Sequence, residues 1–270
     1  MDAELIDRSG QSHRPRIVLS VVSHGQGRLL RGLLADIRRH WDHKGLRLVL
    51  THNLPESTPP ELDGLPFPVR VIRNLQPKGF AANHNNAFGL FEADVFCVIN
   101  PDIRCPGDPM PALMAALADP LTGLAAPRVV NPRGRLEDSA RRRITPWRIL
   151  ARTAGLQKGP DYEIGAATVF PDWVAGMFMA MRSEVYESVA GFDERYRLYC
   201  EDADLCMRLW ESGYRVAYLP DAWAVHDARR ESHRNPTLLR WHVASLLRFF
   251  ARHPFYRRGH LPESRSLQEG

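Results

Sequence analysis

The sequence predicts an α/β fold: a mainly parallel central sheet with helices on its faces. Three observations carry this. Four short, strongly apolar runs read as buried strands. The segments between them hold apolar residues at helical spacing. The resulting order, β-α-β-loop-β-α-β, is that of crossover connections rather than hairpins.

Taken in order, Ile17 to Val22 is the first strand, broken by Ser23-His24-Gly25-Gln26-Gly27. Leu29, Leu30, Leu33, Leu34 and Ile37 then mark a helix. Leu46 to Leu50 is a second strand, followed by a polar, proline-rich stretch from Pro55 to Pro68. Val69 to Ile72 is a third strand, Phe80 to Phe91 a helix and Val95 to Ile99 a fourth strand. Pro111 to Leu117 is helical, and Leu124 to Val130 returns to the sheet. From Asn131 to Ala166 the pattern is lost, which predicts a long loop or mobile insert. Regular structure resumes at Trp173 to Met181, then a helix at Glu201 to Ser212 and a strand at Arg215 to Leu219. Leu238 to Phe250 forms a last helix, with Arg240, Arg248 and Arg252 sharing one side.

The composition, 44% hydrophobic and 25% charged over 270 residues, excludes a wholly disordered, collagen-like or polytopic membrane chain. No apolar run approaches the ~18 residues of a spanning helix. Residues 1–15 are polar, are expected to be disordered and lack a signal-peptide core. The net charge is +5, concentrated between Arg229 and Arg258, where eight arginines face one glutamate. Such an end suits a phosphate-bearing partner or an anionic surface, or is a solvated tail. Cys97, Cys105, Cys200 and Cys206 lack CxxC spacing and are expected to be reduced thiols in a cytoplasmic protein.

In an open parallel sheet, ligands bind beyond the carboxyl ends of the strands. Those ends carry Ser23-His24-Gly25, His52-Asn53, Asn74 with Lys78-Gly79-Phe80, and Asn100-Pro101-Asp102. Asp102 has the chemistry of a Mg²⁺ or Mn²⁺ ligand, since such ions take oxygen donors and leave sites for diphosphate oxygens. The competing reading is a turn aspartate bonded to its own backbone. Glu201, Asp202 and Asp204 open a helix whose dipole favours acids there. Asp204 is assigned that role, but three acids in four residues exceed it, so one is a candidate general base. His226 follows a strand end, as Asp102 does, so both are candidates for one ion. His24, His52 and His84 follow strands one to three, and the topology is expected to gather at least His24 and His52 around a nucleotide.

The segments NLQPKGFAANHNN (Asn74 to Asn86), NPD (Asn100 to Asp102), WVAGMFM (Trp173 to Met179), GFDERYRLYCEDADLCMRL (Gly191 to Leu209) and Val225-His226 occur in that order. Together they resemble glycosyltransferase family 2, most closely its bacterial rhamnosyltransferase-like members, over about Arg16 to Phe250. The resemblance implies a GT-A (nucleotide-diphospho-sugar transferase) fold with a C-terminal basic helix. It also implies a metal-dependent, inverting transfer from a nucleotide-diphosphate sugar to a glycan or lipid-linked acceptor, in surface polysaccharide synthesis. By it, Asp202 is the catalytic base, with Glu201 orienting it or touching the acceptor. Asp102 and His226 hold Mg²⁺ or Mn²⁺. Ser23, His24, His52, Asn53, Gly79, Phe80, Asn85, Asn86 and Asn100, with Asp102, line the donor site, and Trp173 and Gly176 lie on the acceptor side. Residues 16–235 form the catalytic domain and 236–270 the basic helix and tail.

Two departures stand out. His52-Asn53 replaces the usual Asp-Asn, and Ser23-His24-Gly25 replaces a Tyr-Asn-like pair. A dinucleotide-dependent oxidoreductase fits less well, because the third glycine of its fingerprint falls at Leu30 and no acid ends strand two. A catalytically silent sugar-nucleotide binder is the other alternative. No nucleic acid partner is expected. The basic end predicts peripheral, salt-sensitive contact with the cytoplasmic face of an anionic membrane.

Overall fold

A computed structural model describes residues 5–6, 12–13, 15–156, 159–226 and 236–254. Leu5–Ile6 (β1) pairs antiparallel with Ser12–His13 (β2), inside the segment expected to be disordered. The polar sequence there has no periodicity to read, and so short a ladder is closed by backbone groups alone. The main domain then runs Ile17–Ser23 (β3), Gly27–His40 (α1), Leu46–His52 (β4), a 3-10 turn at Pro60–Gly64 and Val69–Arg73 (β5). Phe80–Ala87 (α2), Val95–Ile99 (β6), Ile103–Arg104 (β7), Met110–Leu117 (α3) and Thr122–Val130 (β8) follow. Beyond them come Ala140–Arg141 (β9), Pro146–Thr153 (α4), Trp173–Val174 (β10), Phe178–Arg182 (β11) and Ser183–Ser188 (α5). Glu201–Glu211 (α6), Arg215–His226 (β12) and Pro236–Arg252 (α7) complete the order.

Eight strands form one sheet in the order β5-β4-β3-β6-β11-β8-β12-β7. β5, β4, β3 and β6 are parallel, and β8 is parallel to β12. Only β11 and the short β7 run against their neighbours. Alternation along β3 divides the core in two. Ile17, Leu19 and Val21 pack under α1 and α3, while Val18 faces the layer that holds α5, α6 and part of α7. The apolar stripe of α1 (Leu30, Leu33, Leu34, Ile37) is fully buried, and Arg38, Arg39 and His40 close its carboxyl end, where the helix dipole favours cations.

Four differences from the sequence reading matter. β12 continues past Pro220 to His226. Pro220 lacks a ladder N–H, and the strand absorbs it in an irregularity between Leu219 and Trp223 before pairing resumes on Arg128–Val130. α2 stops at Ala87 because Phe88 is extended and Gly89 takes a left-handed φ of 84°. The patternless stretch 131–166 contains β9 and α4, the latter capped by Thr145 accepting from the Arg148 amide. The basic face expected on α7 is not wholly free. Arg240 and Arg248 are exposed, but Arg252 is drawn onto Asp193 and Asp204, because a buried carboxylate needs cations. Arg257, Arg258 and Asp227 lie outside the described residues. The four cysteines are buried and unpaired. Among the described residues no helix is long and apolar enough to cross a membrane.

Candidate active site

Asp102 follows β6 in a turn that leads straight into β7. β7 pairs with the far end of β12, setting His226 opposite Ile103. Residues 124 apart in sequence therefore meet, and His226 Nε2 donates to Asp102 Oδ2 at 3.2 Å. The other oxygen, Asp102 Oδ1, is buried and accepts no hydrogen bond. A buried carboxylate oxygen without a donor is costly unless a cation satisfies it. One carboxylate beside one imidazole is a partial donor set. It fits an ion that keeps waters and completes its shell with diphosphate oxygens. No group of three or more protein ligands occurs among the described residues.

The loop before α2 is held by side-chain amides. Asn53 is buried, and its Oδ1 accepts from Asn74 Nδ2 (2.8 Å) and the Lys78 amide (2.9 Å). Its Nδ2 donates to Lys78 O (3.0 Å) and His24 Nδ1 (2.9 Å). Asn83 extends the net, taking Asn74 Nδ2 at 2.7 Å and donating to Gly79 O at 3.0 Å. Asn53 thus spends its hydrogen-bonding capacity on this loop, and the exposed His24 is the group it presents outward. Gly79 must be glycine: a Cβ there would sit 2.7 Å from Arg197 O. His52, at 1% exposure, is enclosed between Glu56 and Thr58 rather than open to a ligand. His84 is buried beside Ser20 (2.8 Å), and burial depresses its pKa to about 3, so it is neutral. Asn85 grips the Gly191–Phe192 turn, donating to Phe192 O at 2.8 Å and accepting from Tyr186 OH at 2.5 Å. Asn86 is exposed, and Ser23 Oγ accepts from the Gln26 amide at 3.2 Å.

The acidic cluster begins with backbone strain. Tyr199 and Cys200 both adopt left-handed φ, 70° and 66°, immediately before α6. Such residues cost on the order of 1–3 kcal/mol each and persist where surrounding structure imposes them. The result sets Glu201 and Asp202 at the first turn. Asp202, partly exposed, accepts from the amides of Gly176 (3.0 Å) and Ala203 (2.8 Å). Burial raises its pKa; those amides and the charge of Arg141 oppose without cancelling it. Glu201 is buried, with Oε2 unbonded, and burial plus the Asp202 charge push it up to about 8. Arg141, which the sequence left in a loop, lies over the Trp173 ring at 5.1 Å and is anchored by Asp138 O at 2.7 Å. Asp204 does more than complement the helix dipole: it is fully buried between Arg208 (2.8 Å) and His253 (2.9 Å).

These parts adjoin through one turn. The Asn100 amide donates to Met177 O at 2.9 Å, and the preceding Gly176 binds Asp202. A Cβ on Gly176 would lie 3.1 Å from Phe80 and 3.6 Å from Asp202 Cβ. The structure thus brings Phe80, Asn100, Gly176 and Asp202 together, with Asp102 and His226 beyond Asn100. It leaves His52 and Asn85 as supports of neighbouring loops.

The Glycosyl transferase family group 2 description matches residues 134–251, which span Trp173, Gly176, Asp202 and His226. The chain resembles glycosyltransferase family 2. Over 96 residues it is 42% identical to rhamnosyltransferase WbbL of Escherichia coli (strain K12), covering 35% of this chain and 36% of that one. It is 29% identical to the pre-mycofactocin glycosyltransferase of Mycobacterium tuberculosis (strain ATCC 25618 / H37Rv), covering 83% and 45%. It is also 29% identical to the N-acetylglucosaminyl-diphospho-decaprenol L-rhamnosyltransferase of that strain, covering 53% and 50%. The chain spans half the length or less of these curated relatives. Among solved structures, GalNAc-T7 with UDP, GalNAc and Mn²⁺ aligns at TM-score 0.65 and 16% identity, covering 89% of this chain and 51% of that one. Mannosyltransferase PcManGT of Pyrobaculum calidifontis, with GDP-Man and Mn²⁺, aligns at 0.59 and 20%, covering 87% and 65%. The fold is GT-A.

Proposed function

We propose that the chain moves a sugar from a nucleotide-diphosphate donor to a hydroxyl of a glycan or lipid-linked acceptor, with inversion, in bacterial surface polysaccharide synthesis. The observation that carries this is Asp202: a partly exposed carboxylate with a raised pKa, fixed by Gly176, whose neighbour Met177 anchors the turn bearing Asp102. In its ionised form Asp202 takes the acceptor hydroxyl proton as that oxygen bonds to the anomeric carbon. The bond from that carbon to the diphosphate oxygen breaks, and its electron pair leaves with the nucleoside diphosphate. Displacement from the opposite face inverts the centre in one step. Gly176 and Ala203 orient Asp202, and Glu201, buried beside it, acts on it through its charge once ionised.

Asp102 and His226 would hold Mg²⁺ or Mn²⁺, which when bound supplies positive charge to the leaving diphosphate. Phe80 and His24 flank the donor side, and Trp173 with Arg141 the acceptor side. A cytoplasmic location with peripheral contact to an anionic membrane accords with the exposed Arg240 and Arg248. The test is release of nucleoside diphosphate from UDP-, dTDP- and GDP-sugars, with and without Mn²⁺, by the chain and by Asp202→Asn. Metal-stimulated turnover lost in the variant supports the reading. No turnover of any donor by the parent chain, despite nucleotide binding, would make it a silent binder.

A further inference from the structure

Helix α4 is built inside out. Its charged side chains face the protein: Arg148 is paired with Asp161, and Arg152 reaches Asp138 at 2.5 Å and Asp161 at 3.0 Å. Ile149 is half-buried, but the other large apolar side chains face solvent: Trp147 is 72% exposed and Leu150 57%, with Leu156 just beyond the helix at 78%. No residue of α4 is buried. A soluble surface helix normally shows the reverse arrangement.

We propose that α4 is an interfacial helix that sinks Trp147, Leu150 and Leu156 into the acyl boundary of a bilayer, beside the acceptor side of the active site. Three features select a bilayer over a protein partner. First, α4 has eight residues and is about 12 Å long, too short alone for the ~800 Å² each side of a stable protein interface. Second, its cations are already neutralised by Asp138 and Asp161, so the helix carries little free charge into a low-dielectric layer, and tryptophan suits the headgroup boundary. Third, the segment before α4 is tied to the end of a second helix that also exposes apolar side chains. Arg143, just before α4, donates to His253 O at 2.9 Å at the end of α7. Along α7, Leu239, Val243 and Leu247 are exposed alongside the exposed Arg240 and Arg248, a combination that complements anionic headgroups.

The two contacts differ in chemistry. That of α7 is partly ionic and weakens with salt. That of α4 is apolar and persists in salt. The inner face of α4 also leads to the active site: Arg152 binds Asp138, whose carbonyl anchors Arg141 beside Trp173 and Asp202. A bilayer seated on α4 lies beside the place where a lipid-linked acceptor must offer its hydroxyl. This last point rests on the proposed transferase reading; the membrane contact does not.

The experiment is co-sedimentation of the full chain with vesicles of equal parts phosphatidylcholine and phosphatidylglycerol, at low and at high salt. It compares the parent with the triple variant Trp147→Ser/Leu150→Ser/Leu156→Ser and with Arg240→Ser/Arg248→Ser. The salt-resistant partition should fall about tenfold or more in the triple variant, and only the salt-sensitive part in the arginine variant. Brominated-lipid quenching of tryptophan fluorescence should lose amplitude in Trp147→Phe. Circular dichroism and vesicle-free donor hydrolysis should be unchanged, since these side chains touch neither core nor site. Parent-like binding by the triple variant, or no quenching of Trp147, overturns the proposal. So does a concentration-dependent dimer that the triple variant loses, because a second copy would then cover α4. Absent donor hydrolysis with intact α4-dependent binding removes the transferase reading alone.

Discussion

The backbone amide of Gly176 donates to Oδ2 of Asp202 at 3.0 Å. That bond fixes the candidate base against the turn that also touches Phe80 and, through Met177, Asn100. Two substitutions separate its chemistry from its placement. Asp202→Asn keeps the shape and removes proton acceptance, so turnover should fall ~10²–10⁴-fold while nucleotide affinity survives. Steady-state kinetics beside calorimetry on the nucleoside diphosphate checks this.

Gly176→Ala adds a methyl 3.1 Å from the Phe80 ring. Either the ring or the turn must yield by a few tenths of an ångström. The expected stability cost is about 1–3 kcal/mol. Turnover should fall by up to about 10²-fold through misplacement of Asp202. Thermal unfolding and kcat measured together distinguish the two: near-normal kcat would mean that Phe80 yields and Asp202 stays in place.

The pH profile follows from Glu201 and Asp202, both raised by burial and Glu201 also by the charge beside it. Because Asp202 must be ionised to act, activity rises with pH, and its acidic limb should lie above the ordinary carboxylate range. Asp202 ionises first, and Glu201, raised to about 8 by burial and by the Asp202 charge, ionises later. Glu201→Gln therefore mimics the protonated neighbour. It should leave the acidic limb in place while removing any change in activity near pH 8. The stability effect has the opposite sense. Groups raised in the folded state favour folding while protonated, below their unfolded pKa near 4, and this contribution is lost as pH rises through the raised values. Glu201→Gln should therefore gain stability relative to the parent at neutral to alkaline pH. An acidic limb shifted to lower pH in Glu201→Gln would mean that Glu201, not Asp202, ionises first.

Burial explains which parts were legible in the sequence. Val95 to Ile99 is buried throughout, and its apolar run predicts the strand to the residue. The acidic run at Glu201 and the Asn100-Pro101-Asp102 turn were legible because strand ends and helix starts display chemistry locally. Arg141 was not, because only the pairing of β9 with β10 carries it to Trp173. α4 was missed because its eight residues place arginines on the inner face, against the usual pattern. Nothing local in the sequence sets Asn83 apart from ordinary helix, because its amide partners, Asn74 and Gly79 O, come together only in the fold. The role of Asp204 depends on His253, 49 residues away, which no local pattern foretells.

Asp102 and His226 give a prediction on binding rather than rate. Asp102→Ala should weaken nucleoside diphosphate affinity and abolish its dependence on Mn²⁺ or Mg²⁺, whereas His226→Ala should retain part of that dependence. The reason is that Asp102 brings the charge and two oxygens, one of them buried without a hydrogen bond. Calorimetric titration with and without metal measures both; unchanged metal-dependent affinity in Asp102→Ala would remove the site.

Asp204 governs stability rather than catalysis. Burial alone would raise its pKa, but the His253 hydrogen bond and the Arg208 and Arg252 charges outweigh it, so the carboxyl titrates below the usual range. Asp204→Ala leaves Arg208, itself largely enclosed, without its ion partner, and frees the end of α7 at His253. Breaking a buried pair from one side costs about 3–5 kcal/mol. A depressed carboxylate stabilises the fold above its unfolded pKa near 4, and that contribution is lost as pH falls through the lower folded value. The parent should therefore lose stability below about pH 4, and Asp204→Ala should be destabilised at neutral pH with a flatter acid limb. Denaturant unfolding from neutral to strongly acidic pH tests both. A variant as stable as the parent at neutral pH would mean that the apolar face of α7 and its other contacts, such as Arg143 to His253 O and Arg252 to Asp193, suffice to hold it, and that the buried charges of Asp204 and Arg208 contribute no net stability.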